Sequence, residues 1–238
     1  MEERESYKIL GIVPARGGSK GVARKCIREL AGKPLIEWTI EEALGSKYLD
    51  RVVVSTEDEE IGEISKRSGA ELVKRPDELA TDEAGTVEVV IDCLERLKNE
   101  NYEPEVIILL QCTSPLRNRK HIDEAIEIFL KSDKADSVMS VSEVEHPPWW
   151  NKSIDEEGFV KDFLEYDKQK FKRRQDFPKT FTMNGAIYII KTDVFVDRKS
   201  FETERTLGYH MENKYSIDID TEIDFVIAET IMREETKQ

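Results

Sequence analysis

Apolar runs alternate with helix-period segments along the first 145 residues of this 238-residue chain. Strand candidates are Ile9–Val13, Arg51–Ser55, Glu71–Val73, Val106–Leu110 and Ser137–Val141. Between them lie amphipathic patterns at Leu35–Leu44 (with Pro34 at a first-turn position), Glu59–Ser68, Thr86–Lys98 and His121–Lys131. Short apolar strands separated by helices predict an α/β fold, a mostly parallel sheet covered by helices on both faces. Ligands of such sheets sit beyond the carboxyl ends of the strands. That puts Arg16–Lys25, Thr56–Asp58 and Gln111–Arg117 on one rim.

The rhythm breaks between His146 and Met183. An aromatic, proline-rich stretch (His146-Pro-Pro-Trp-Trp150) is followed by a turn at Asp155–Gly158, a strand candidate at Gly158–Phe163 and the basic run Lys168–Arg174. This predicts an inserted arm or hairpin, residues 146–183, between two core segments, 1–145 and 184–238. Trp149 and Trp150 suit either a local mini-core or an apolar patch facing a partner. Gly185–Ile190 then reads as a returning strand and Thr221–Arg233 as a last helix, with Thr221 near its cap.

A net charge of −14 argues against a general nucleic-acid surface. Three cysteines, with no C-x-x-C pair, imply neither a disulfide framework nor a zinc site. The polar first residues carry no signal-type apolar stretch, and no run approaches membrane-spanning length. The expectation is a soluble cytoplasmic protein with no nucleic-acid or membrane partner.

Against that acidity, Val13-Pro-Ala-Arg-Gly-Gly-Ser-Lys-Gly21 stands out, with Arg24 and Lys25 just beyond it. Glycines let backbone N–H groups approach a ligand, and Arg16 and Lys20 supply charge suited to phosphate oxygens. The spacing is neither a P-loop nor G-x-G-x-x-G. In Ser216-Ile-Asp-Ile-Asp220, both carboxylates fall on one side of an extended chain, where magnesium would satisfy them. Gln111–Arg117 offers an amide, hydroxyls and a cation. It suits either a polar or anionic substrate, or an ordinary Ser-Pro turn with Arg117 capping a neighbour. His121, His146 and His210 lack ligand spacing, and Cys26 and Cys112 read as inert thiols near the rim.

Five segments in register resemble the CMP-sialic acid synthetase (acylneuraminate cytidylyltransferase) family over nearly the whole chain. They are Ala15–Gly21, Arg75-Pro-x-Glu-Leu-Ala80, Gln111-x-Thr-Ser-Pro-Leu-Arg117, Asn184-Gly-Ala-Ile-Tyr188 and Ser216–Thr221. The resemblance implies a Rossmann-like three-layer α/β/α nucleotidyltransferase fold. The activity it implies is transfer of CMP from CTP to the anomeric hydroxyl of a 2-keto-3-deoxy nonulosonic acid, with release of pyrophosphate.

By the same resemblance, Ala15, Arg16, Gly17, Gly18, Ser19, Lys20 and Lys25 hold the CTP phosphates, while Arg75, Ala84 and Thr86 meet cytosine and ribose. Gln111, Thr113, Ser114, Arg174 and Tyr188 belong to the sugar-binding side. Asp218 and Asp220 bind Mg2+, with Mn2+ as a substitute. Arg16, Lys20 and Asp220 carry the catalysis, Asp220 helping to deprotonate the attacking hydroxyl. The insert corresponds to the arm through which these proteins form homodimers. Cys26 replaces a usual asparagine, Cys112 a usual proline, and Trp149-Trp150 occupies ground where sialic-acid-specific members can carry a lysine. Legionaminic or pseudaminic acid, or the eight-carbon acid KDO or its 8-amino analogue, therefore stay open as substrates.

Overall fold

The computed structural model describes residues 7–18, 21–81 and 83–235. In chain order the elements are β1 (Ile9–Pro14), β2 (Glu29–Leu30), β3 (Lys33–Pro34), α1 (Leu35–Leu44), β4 (Arg51–Thr56), α2 (Glu59–Arg67), β5 (Glu71–Lys74), α3 (Thr86–Asn99), β6 (Val106–Leu109) and α4 (Arg119–Leu130). There follow β7 (Ser137–Glu143), β8 (Lys152–Ile154), β9 (Val160–Asp162), β10 (Phe181–Lys191), α5 (Thr192–Arg198), β11 (Thr206–His210) and α6 (Glu222–Glu235).

Seven strands form one sheet in the order β11-β7-β10-β6-β1-β4-β5. Pairs β1–β4, β4–β5, β1–β6 and β7–β11 are parallel. The exception is β10, which runs antiparallel between β6 and β7. The predicted mostly parallel sheet is thus observed, with an internal antiparallel strand that the apolar pattern did not indicate. The strand alternation fixes the layers. Val106 and Ile108 of β6 pack with Ile36 and Ile40 of α1, Ile61 of α2, and Ile122 and Phe129 of α4 on one face. Ile107 and Leu109 face the other way, against Val90 and Leu97 of α3 and Phe195 of α5. Burying both faces of these strands removes the polar alternation a half-exposed strand needs.

A third cluster matters for the site. Phe225, Ala228 and Met232 of α6 pack against Val22, Leu30, Leu35 and Ile219. The last helix therefore fastens the stretch after the glycine loop to the segment carrying Asp218 and Asp220.

The excursion after β7 contains the small β8–β9 hairpin, in register Lys152↔Asp162 to Ile154↔Val160. Trp149 stacks on Phe177 at 5.4 Å, and Phe171 does so at 5.0 Å on the same ring. Trp150 meets it edge-on at 5.9 Å. The two tryptophans are thus held in a mini-core around Phe177. Phe181–Met183, assigned to the arm from the sequence, lie inside β10 and pair with β7. Among the described residues, no helix is long and apolar enough to cross a membrane.

Candidate active site

The strand order reverses direction beside β1, where the chain adds β4 and β5 on one side and β6 on the other. A crevice opens at the carboxyl ends there. β1 delivers the glycine loop to it, but not with every group free. Ala15 is buried, and its N–H donates to the Ser55 carbonyl at 2.9 Å, so it anchors the loop rather than opening onto the crevice. The Gly17 N–H donates to Glu57 Oε1 at 2.7 Å. Arg16 donates to the Thr81 carbonyl at 3.0 Å, and Gly18 has open space where a side chain would project. Ser19 and Lys20, the other phosphate-loop candidates, lie outside the described residues.

Beyond the loop, Arg24 is held by Asp58 at 2.5 Å and by Glu60 at 2.7 Å. Lys25 takes a different direction. Its ammonium donates to the Ile219 carbonyl at 2.5 Å and to Asp220 Oδ1 at 3.2 Å. Gly21 lies tighter still against this segment, since a Cβ there would stand 2.0 Å from the Asp220 carbonyl oxygen. Residues 21 and 220 thus meet at backbone level.

The carboxylate segment is also tied to the turn after β6, because the Ile219 N–H donates to the Thr113 carbonyl at 2.8 Å. With Ile219 fully buried, Asp218 and Asp220 flank it as an extended chain requires. Their environments differ. Burial pushes the Asp218 carboxyl above its ordinary value, the Thr113 side chain opposes this, and the Asp220 charge adds to it. Asp220 is exposed, its side chain 75% open to solvent. Asp218 Oδ1 is buried with no hydrogen-bond partner in the protein, an orphaned hard oxygen of the kind magnesium takes. The donor set therefore fits a cation held by two carboxylates with further ligands from substrate phosphates.

The Asn184–Tyr188 stretch occupies a register irregularity of β10 between Met183 and Tyr188. Gly185, at φ 74°, turns the backbone there, and a Cβ would lie 3.0 Å from Gln111 Oε1 and 3.5 Å from Asp218 Oδ2. Glycine is needed for both the conformation and the approach. Asn184 locks the turn. It accepts from Ser140 Oγ at 2.6 Å and donates to Ser216 Oγ at 2.9 Å, a connection between β10, β7 and the carboxylate segment that sequence reasoning missed. Tyr188 packs on Phe201 at 5.7 Å, and burial raises its hydroxyl pKa, with the Asp218 charge adding to the effect.

Together these elements line a cleft of about 320 Å³ that includes Arg16, Arg75, Ala84, Thr86, Gln111, Thr113, Asp218 and Asp220. Arg75 reaches it from a buried position, donating to Ser55 Oγ at 3.1 Å and the Ser55 carbonyl at 2.8 Å. Three predicted sugar-side residues, Tyr188, Ser114 and Arg174, are not among its lining. Ser114 is fully buried beneath the turn. Arg174 is exposed on the arm. Arg117, open between two readings in the sequence, is buried and caps its neighbours. It donates to the Gln111 and Ala186 carbonyls at 3.0 and 2.8 Å and to Thr39 Oγ1 at 2.8 Å. Burial lowers its pKa to about 10. Glu57 and Asp58 lie in the rim segment the sequence indicated and Glu60 at the start of α2, but their clamping of Gly17 and Arg24 left no local signal.

Fold and cleft define an α/β protein whose strand ends join a glycine loop, buried and exposed arginines and a carboxylate pair. Residues 10–237 match the cytidylyltransferase family, and the chain belongs to it. It is 40% identical over 222 residues to an N-acylneuraminate cytidylyltransferase of Streptococcus agalactiae serotype III (strain NEM316), covering 92% of this chain and 52% of that protein. The chain thus spans about half the length of that curated relative. It is 38% identical to a CMP-N,N'-diacetyllegionaminic acid synthase of Legionella pneumophila, across 94% of this chain and 96% of that one. A solved CMP:2-keto-3-deoxy-manno-octonic acid synthetase complexed with CTP superposes with a TM-score of 0.70 at 15% identity, covering 96% of this chain and 99% of that one. At that identity the likeness speaks for the fold.

Proposed function

We propose that this protein transfers CMP from CTP to the anomeric hydroxyl of a 2-keto-3-deoxy nonulosonic acid, releasing pyrophosphate. The observation that carries the reading is the backbone contact between Gly21 and Asp220, which joins a glycine loop suited to phosphate to a carboxylate pair suited to a metal. Family membership and two relatives named for nine-carbon acids support the substrate class. In this reading Arg16 and Lys20 meet the triphosphate, and Arg75, Ala84 and Thr86 border the nucleoside. Gln111, Thr113 and Tyr188 face the sugar acid. Asp218 and Asp220 hold magnesium, which supplies charge neutralisation at the reacting phosphate oxygens. Asp220, the more exposed of the two, would help take the proton of the attacking hydroxyl in this reading. Positioning and electrostatics, rather than covalent chemistry, lower the barrier.

The reading includes a cytoplasmic location and a homodimer built through the arm. The open apolar side chains Phe159 and Phe163, 64% and 66% exposed, support the dimer. A substrate panel tests the function. Purified protein with CTP and Mg2+ is given N-acetylneuraminic, legionaminic, pseudaminic and KDO acids while pyrophosphate release is followed, and products are read by phosphorus NMR. A CMP diester formed fastest with a nine-carbon acid is expected. Highest activity with KDO would move the assignment to the octulosonic acid, and no release with any acid would sink it.

A further inference from the structure

Two of the three cysteines meet under the cleft. Cys26, in the short 3-10 turn Lys25–Ile27, and Cys112, between Gln111 and Thr113, bring their sulfurs to 3.4 Å across 86 residues of sequence. Both side chains are nearly enclosed, but Cys112 borders the cleft itself. Sequence reasoning found no partner for either thiol, because contact between residues this far apart leaves no local signal.

We propose that Cys26 and Cys112 form a peroxide-oxidisable dithiol in the cleft wall, whose disulfide ties the glycine-loop segment to the segment after β6. The sulfurs already stand 3.4 Å apart, and a disulfide needs them to close to about 2.05 Å. The surroundings select the attacking sulfur. The contact with Cys112 lowers the Cys26 thiol pKa, and the Lys25 and Arg75 charges add to that pull against the opposing burial. Cys112, raised by the same contact and by its burial, moves the other way. Cys93 is an internal control. It lies on α3, fully buried, and burial pushes its thiol up to about 11, so it forms little thiolate.

The chemistry balances with hydrogen peroxide as oxidant. The Cys26 thiolate attacks one peroxide oxygen and the O–O bond breaks. This leaves a sulfenic acid, while the departing hydroxide takes up the proton Cys26 had lost. Cys112 sulfur then attacks the Cys26 sulfur, and the S–O bond breaks. Hydroxide leaves and carries off the Cys112 proton as a second water. Each sulfur gives up one electron, and the peroxide accepts both.

The test is peptide mapping of the full chain under non-reducing conditions after hydrogen peroxide treatment and alkylation. The expected result is a cross-linked peptide holding Cys26 and Cys112, removed by dithiothreitol, with Cys93 recovered as an alkylated free thiol. In Cys112→Ser, the expected product is a dimedone-reactive sulfenic acid on Cys26 with no cross-link. The proposal is overturned if wild-type protein gives no such peptide at a peroxide dose that oxidises free glutathione. It is equally overturned if cross-links to Cys93 form as readily, or if Cys26 proceeds to sulfinic acid without pairing.

Discussion

Gly21 and Asp220, 199 positions apart, touch through their backbones so closely that a single added Cβ would collide with a carbonyl oxygen at 2.0 Å. The opposing atom is backbone, held by the burial of Ile219 and its N–H bond to Thr113, so it cannot swing away. Gly21→Ala must therefore push the glycine loop and the carboxylate segment apart. The expected outcome is a destabilisation of about 1–3 kcal/mol, typical of overpacking. A loss of pyrophosphate release larger than the unfolded fraction accounts for is expected with it. Thermal melts and steady-state rates on the same preparation check both.

Asp218 and Asp220 share the proposed metal, but Asp220 is exposed whereas Asp218 is half-buried. Asp220→Asn is expected to lower turnover by roughly two orders of magnitude, as loss of a key electrostatic group does. Asp218→Asn, which neutralises the carboxyl with the orphaned buried oxygen, is expected to shift the Mg2+ concentration needed for half-maximal rate upward. Titrating Mg2+ against rate for both variants separates the roles. An unchanged magnesium requirement in Asp218→Asn would remove it from the metal site.

Arg117 holds the turn after β6 through three hydrogen bonds to Gln111, Ala186 and Thr39. Arg117→Ala removes a large buried side chain and leaves carbonyls without donors, an expected cost of roughly 3–5 kcal/mol. Arg117→Lys keeps the charge but cannot reproduce the planar fork, so it recovers only part of that loss. Denaturant midpoints of the three proteins measure it. Stability equal to wild type in Arg117→Ala would return this residue to the substrate side.

Asp58 caps α2 through the Ile61 N–H at 3.0 Å and clamps Arg24. Partial burial pushes its carboxyl up, but Arg24 and the Ile61 amide pull harder, leaving it below the ordinary 3.8. A carboxyl with a folded pKa below its unfolded one stabilises the protein above the unfolded value and loses that contribution as pH falls through the folded one. The Tm difference between wild type and Asp58→Asn is therefore expected to be full near neutrality and to shrink below about pH 4. Melting curves across that range check it, and a gap that widens on acidification would refute the assignment.

Much of the sheet was legible because β1, β4, β6 and β7 are apolar runs set between helix-period segments. β11 was not. Thr206–His210 is an edge strand with mostly open side chains, so burial left no mark on its sequence. The antiparallel seat of β10 is a long-range pairing choice, to which local periodicity is blind. In the site, residue types announced the glycine loop and the carboxylate pair. What they could not announce was which groups other residues already occupy. Glu57 takes the Gly17 amide, Asp58 and Glu60 take Arg24, and Ser114 faces inward. Those assignments depend on contacts between distant segments. Asn184 was quoted for its motif, yet its work is to brace the turn rather than to touch the cleft.

The sheet order also bears on how the chain is made. Both partners of β7 are strands that follow it, β10 and β11, whereas β1, β4, β5 and β6 can pair among themselves as soon as they emerge. A ribosome that has synthesised Ser137–Glu143 must still add the whole arm before either edge of that strand can be covered. Throughout that interval a strand that is mostly buried in the finished fold keeps two bare edges open to neighbouring chains.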